Sequence, residues 1–169
     1  MELKSNSKIE TVCFTGHREM PARSTIMVPT RLKALLRQLI ARGATHFRAG
    51  GAMGFDTLAA LCVLELQEEF PHIKLDLMLP CHDQTKYWNA DSIKVYDYIM
   101  SKASSAIFVS DKFTNYCMMQ RNRRLVDGSQ VCIAYLTKSL DSKGGTPYTF
   151  AYAIKNGLET YNVAENIQL

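Results

Sequence analysis

The chain has 169 residues, 47% of them hydrophobic and 21% charged, with a formal net charge of +4. That length suffices for one domain with a full core and is too short for two ordinary ones, and the composition is that of a soluble globular protein. The charge suits an anionic ligand without demanding nucleic acid. Residues 1–10 lack the apolar core of a signal peptide, and no apolar run approaches the ~20 residues that span a bilayer. Cys13, Cys62, Cys81, Cys117 and Cys132 show no C-x-x-C metal spacing. Cys13, Cys62 and Cys132 lie in apolar runs and read as reduced core thiols. A cytoplasmic protein is expected, with no metal and no bound cofactor.

A tail over residues 1–10 precedes a single domain over residues 11–169. Residues 11–15, β-branched and aromatic, read as a strand that ends at Gly16, His17 and Arg18. A helix follows over 30–41, where Leu32, Leu35, Leu36, Leu39 and Ile40 share one face, and Gly43 stands where a C-terminal cap belongs. A strand over 45–49 meets a turn with Gly50, Gly51 and Gly54, and an apolar helix over 55–70 starts at once. A strand over 73–79 leads through Pro80, Cys81, His82 and Asp83 to a helix over 91–102. Within that connection Gln84, Tyr87, Trp88 and Asn89 suggest a lid that stacks a ring on a base. A strand over 106–110 ends at Ser110 and Asp111 before a helix over 116–126. The last pair is a strand over 131–136 and a helix over 147–156, joined through Lys143, Gly144, Gly145 and Thr146 and closed by Gly157.

Strands alternating with helices at these spacings specify an α/β fold. The expected architecture is a Rossmann-like, doubly wound, mostly parallel sheet with helices on both faces. In such sheets ligands bind outside the carboxyl ends of the strands, at the switch in strand order. That rule selects the connections just named, which gather most of the chain's glycines.

The turn at Gly50, Gly51 and Gly54 has the form of a phosphate cradle, because the helix behind it presents unpaired N–H groups and a positive dipole end. It carries no Gly-Lys-Ser/Thr and misses the first glycine of G-x-G-x-x-G, so neither Walker-type ATP hydrolysis nor ordinary NAD binding fits. Gly144, Gly145 and Thr146 form a second cradle, with Thr146 as a helix cap and Pro147 in the first turn. In the arginine-rich helix, Met118, Asn122, Leu125 and Val126 share one core-directed face, which would bury the Asn122 amide. Arg121 borders that face and can reach a phosphate through its planar fork, whereas Arg123 faces solvent. His17 and Arg18 are placed to bind phosphate or move a proton. Asp56, at a helix start, can cap it or hold a ribose.

The segments CFTGHR at residues 13–18, GGAMGFDTLA at 50–59, LPC at 79–81, RN at 121–122 and GGT at 144–146 resemble the YpsA-like branch of the SLOG superfamily. That superfamily also includes the LOG phosphoribohydrolases and DprA. The resemblance runs from about residue 11 to 163. It implies a Rossmann-like domain that binds a nucleotide or nucleotide derivative over the strand ends. The LOG arginine matches Arg121, with Asn122 in place of a lysine, and the LOG catalytic glutamate falls on Thr149. A hydroxyl cannot serve as a carboxylate base or stabilise an oxocarbenium charge.

The leading expectation is therefore binding or sensing of a small nucleotide-derived ligand, such as a nucleotide sugar or an ADP-ribose-like molecule. The second is a nucleotide hydrolase using Asp56 or His17. The third, less favoured, is a DprA-like binder of single-stranded nucleic acid, which needs a basic groove with stacking aromatics. No membrane partner is expected, and self-association is left open.

Overall fold

The computed structural model describes residues 8–165, in which six strands and five helices alternate. In chain order they are β1 (Thr11–Gly16), α1 (Ala22–Ala41), β2 (His46–Ala49), α2 (Phe55–Leu66), β3 (Lys74–Cys81) and α3 (Ala90–Lys102). There follow β4 (Ser105–Ser110), α4 (Cys117–Val126), β5 (Val131–Tyr135), α5 (Gly145–Lys155) and β6 (Glu159–Asn162). The strands form one sheet in the order β4-β3-β2-β1-β5-β6, and every neighbouring pair is parallel. Helices α1, α2 and α3 pack in sequence along one face, while α4 and α5 pair on the other. The order runs outward from β1 to β4, then restarts on the far side of β1 with β5, so the topological switch lies between β1 and β5.

Residue alternation explains the two-sided burial. Val12 and Phe14 of β1, Leu75, Leu77 and Leu79 of β3, and Val131 and Ile133 of β5 enter the core beneath α1 and α2. Cys13, Met78 and Cys132 point the other way and meet Leu125, Val126 and Ala153. A strand covered on both faces has no polar face to show, which is why these runs read as continuous apolar stretches. Leu32, Leu35, Leu36 and Leu39 are at most 1% exposed, and burial of each contributes roughly 1.5–3 kcal/mol.

Three departures from the expected elements have physical causes. Helix α1 begins at Ala22, well before the expected start at residue 30, and Pro29 lies inside it. Pro29 withholds an N–H from the carbonyl four residues back, but that residue, Thr25, is exposed, so its carbonyl is not left without solvent. Helix α2 stops at Leu66 rather than at 70, and the tighter bonds from Glu68 to Glu65 and from Glu69 to Leu66 close it off before Pro71. Strand β6, with the sequence ETYN, carries no apolar run and is held by pairing along β5. The caps at Gly43 and Gly157 are where the sequence put them, with φ of +107° and +77°. Among the described residues no helix is long and apolar enough to cross a membrane.

Candidate functional site

At the switch point the chain leaves β1 toward α1 on one face, whereas the connection after β5 leads to α5 on the other. A cleft of about 370 Å³ opens between them. Nine of the expected site residues line it: Gly16, His17, Arg18, Asp56, Arg121, Asn122, Gly144, Gly145 and Thr146. Gly50, Gly51 and Gly54 are not among its walls.

Those three glycines make room for protein instead. A Cβ on Gly50 would overlap the Arg121 guanidinium and the Asp56 carboxylate. Gly51, at φ +73°, has no space beside Leu79, and its carbonyl accepts a hydrogen bond from Gln84 Nε2 at 2.8 Å. Gly54, at φ +78°, allows the start of α2 to abut the backbone of His17 and Arg18, where the Phe55 N–H donates to the His17 carbonyl at 3.1 Å. The Ala52 N–H donates to Asp56 Oδ2 at 3.2 Å. The first cradle thus holds its own carboxylate, and a side chain at Gly51 would strike Leu79 rather than fill space for a phosphate.

Asp56 and Arg121 are each 5% exposed, with Arg121 Nη1 3.8 Å from Asp56 Oδ2. Burial pushes the Asp56 carboxyl above the usual carboxylate range, and the facing Arg121 charge opposes that shift. Arg121 Nη1 also donates to the Gly50 carbonyl, and Nε donates to Asn122 Oδ1 at 2.8 Å. Its Nη2 has no hydrogen-bond partner among the described residues, and Arg121 lines the cleft. The expected burial of Asn122 is therefore shifted by one residue. The buried residues of α4 are Cys117, Arg121, Leu125 and Val126, and Asn122 stands half-buried at the rim. One residue is a 100° turn of the helix, and the ion pair with Asp56 makes the deeper position tolerable for arginine.

The second cradle is open. Gly144, at φ +135°, precedes α5, whose first residue is Gly145. Among the described residues the N–H groups of Gly145 and Thr146 have no acceptor. Thr146 makes no capping bond, and Pro147 falls at the third helical position, where its missing N–H is still of no consequence. Lys138 and Lys143, on the loop into α5, add to Arg18 and Arg121, so four cationic side chains and the single carboxylate of Asp56 line the cleft. Lys138 was not anticipated from sequence. Its signal was a second lysine in the same connection.

His17 Nε2 accepts from the Thr137 N–H at 3.1 Å, which places the ring proton of the neutral form on Nδ1. Partial burial and the Lys138 charge lower its pKa below the ordinary value. Thr149 is fully buried and spends its hydroxyl on the Gly145 carbonyl at 2.7 Å, outside the cleft. Arg123 is exposed, as expected, and donates from Nε to the Tyr148 hydroxyl at 2.8 Å.

The connections after β3 and β4 do not reach the cleft. His82 stacks on Phe108 at 3.6 Å, and Asp83 accepts from the Phe113 N–H at 3.0 Å. The expected lid is structural at most of its positions: Asn89 caps α3, accepting from the Ser92 N–H at 2.8 Å, and Trp88 meets Tyr96 edge-on at 5.6 Å. Tyr87 alone is fully out in solvent, at 89% exposure.

A parallel α/β sheet with a cation-rich cleft at its switch point defines a Rossmann-like domain. The chain belongs to the YpsA family, described as the YspA SLOG family, whose model matches residues 13–166. It is 30% identical over 141 residues to the uncharacterized SPbeta prophage-derived protein YoqJ of Bacillus subtilis, a match covering 76% of this chain and 81% of YoqJ. A UPF0398 protein of Bacillus pumilus is 33% identical over 76 residues, covering 45% of this chain and 41% of that protein. Among solved structures the fold is similar to TM1055, with a TM-score of 0.56 and 16% identity over 90% of this chain and 72% of that one. It is also similar to DNA processing protein A from Helicobacter pylori, described by its single-stranded DNA binding mode. There the TM-score is 0.52 and the identity 18%, over 93% of this chain and 78% of that one.

Proposed function

We propose that the cleft binds or senses a small nucleotide or nucleotide-derived ligand, such as a nucleotide sugar or an ADP-ribose-like molecule, held by its phosphate groups. The observation that carries this reading is the open start of α5. Two N–H donors without acceptors lie beside a buried arginine with a free Nη2, in a cleft of four cations. Family membership supports it. Helix N-termini favour anions through their free N–H groups and dipole, and the planar arginine fork matches phosphate oxygens. Calorimetry and thermal shift with nucleoside mono- and diphosphates, nucleotide sugars and ADP-ribose test it. Binding at micromolar to low-millimolar concentration is expected, and no stabilisation by any of them would end the reading.

Asp56 favours a second reading, hydrolysis of the bound nucleotide. It is the one carboxylate lining the cleft, and a raised pKa suits a general acid. Against it, both the Ala52 N–H and Arg121 already engage its Oδ2. Release of free base from nucleoside monophosphates, abolished by Asp56→Asn, would promote this reading over sensing. Affinity for an oligonucleotide that falls steeply with salt would instead favour a single-stranded nucleic acid as the ligand.

A further inference from the structure

A second cavity, of about 500 Å³, lies beside the cleft and differs from it in character. Its own walls are largely apolar, with Met119, Leu140, Tyr148 and Ala151 beside the polar Asn115 and Ser142. It shares Met118, Asn122, Lys143, Gly144, Gly145 and Pro147 with the cleft, so the two spaces are separated only by the first turn of α5 and the rim of α4. Where they meet, Gly145 contributes no side chain. Together they fall within the size range of small-molecule sites, with charge at one end and apolar surface at the other.

We infer that this trough receives the nucleobase-sized aromatic ring of the ligand whose phosphate sits in the cleft. The inference rests on the phosphate reading above and assigns the rest of the molecule. Three features support it. Met119 and Leu140 are 44% and 42% exposed at the trough, and a flat ring laid over them and Met118 removes that apolar surface from water. Tyr148 is held from two sides: its hydroxyl accepts from Arg123 Nε at 2.8 Å, and its ring lies parallel to Tyr152 at 6.3 Å and 8°. A ring fixed in this way is a preorganised wall for stacking or edge contact. This gives Arg123 a positioning role although it touches no part of the cleft.

The third feature is Asn122, which lines both spaces. Arg121 Nε holds its Oδ1, and Arg121 is itself anchored on the Gly50 carbonyl, so the amide cannot flip without losing that bond. Nδ2 is thereby set at the seam, beside Gly145, with two donors and no acceptor among the described residues. A donor at that point matches the hydroxyls of a sugar joining the phosphate to the ring.

The test compares ribose 5-phosphate with AMP, GMP, CMP, UMP and ADP-ribose by calorimetry, on the full chain and on two variants. Ala151→Phe fills the trough from a half-buried helix position, and Leu140→Ala thins its loop wall without burdening the fold. At least one ring-bearing ligand should bind tenfold or more tighter than ribose 5-phosphate. That gain should vanish in Ala151→Phe and fall severalfold in Leu140→Ala, with ribose 5-phosphate affinity unchanged in both. If the ring adds no affinity, or its gain survives both variants, the trough assignment is overturned while the phosphate reading stands. If neither ribose 5-phosphate nor any nucleotide binds, the phosphate reading falls first and takes the trough with it.

Discussion

The turns at residues 50–54 and 144–146 are alike in composition. Each places a glycine of positive φ directly before a helix, +78° at Gly54 and +135° at Gly144. They differ in what meets the free N–H groups. At the first turn the chain supplies acceptors for two N–H groups, the Asp56 carboxylate for Ala52 and the His17 carbonyl for Phe55, and draws the Arg121 guanidinium in behind them. At the second, the Gly145 and Thr146 N–H groups have none. A glycine-rich turn ahead of a helix therefore specifies donors and leaves open who uses them. Here the first turn is a structural keystone that holds Arg121, and the second is the receptor in the function proposed above.

The sharpest way to break that contrast is to remove the keystone. Asp56→Ala leaves Arg121 buried without its carboxylate and should cost about 3–5 kcal/mol in urea denaturation, as expected for breaking a buried pair. Replacing both partners, Asp56→Leu with Arg121→Met, should recover most of that loss, because no unpaired charge remains. A double variant as unstable as the sum of the singles would show that the two side chains do not support each other. For the same reason Arg121→Ala is a poor probe of ligand binding, since it strips Asp56 of its counter-charge as well.

The glycines at the two helix starts should behave differently too. Gly54→Ala combines a left-handed φ with overlap onto the His17 and Arg18 backbone, so a loss of at least about 1–3 kcal/mol is expected. Gly145→Ala has an ordinary φ, and its Cβ would lie 3.4 Å from Asn122 Nδ2, so stability should stay within about 1 kcal/mol of the parent. Equal losses at both would mean that the second turn is as tightly filled as the first. Lys143→Ala should leave stability unchanged and weaken ribose 5-phosphate binding by about 0.5–1.5 kcal/mol, the range of an ordinary hydrogen bond. Lys102→Ala, outside both cavities, should change neither stability nor binding.

The sheet and its helices were legible because apolar runs and glycine turns are local signals, but the strand-end rule named five connections, of which those after β3 and β4 stay clear of the cleft. What sequence could not show was the direction of side chains at one-residue precision. Asn122 and Arg121 are neighbours 100° apart, and only the distant Gly50 carbonyl and Asp56 decide which of them is buried. The use of Gly51 against Leu79 is likewise a long-range fact. Strand β6 was missed because its stability comes from pairing with β5 rather than from its own residues. The trough has no motif in the sequence because its apolar walls come from α4 (Met119), the loop after β5 (Leu140) and α5 (Tyr148 and Ala151).

The smallest expected effect concerns His17, which joins the two halves of the contrast: its carbonyl serves the first turn and its ring lines the cleft of the second. Its folded pKa lies below the ordinary 6.5, chiefly through partial burial and then through Lys138. The unfolded chain therefore takes up the proton first as pH falls. The stability held in the neutral ring is complete above about pH 6.5 and is lost as pH drops through the lowered value, because the protonated Nε2 can no longer accept from the Thr137 N–H. The ring is only partly buried, so the loss is modest. Urea midpoints taken from about pH 7.5 down to about pH 5 should fall slightly more for the parent than for His17→Gln, whose amide does not titrate. Asp56, whose shift has the opposite sign, is common to both proteins and cancels in the difference. An anion in the cleft favours the imidazolium, so saturating ribose 5-phosphate should shrink that difference, and a difference untouched by the ligand would place the bound phosphate away from His17.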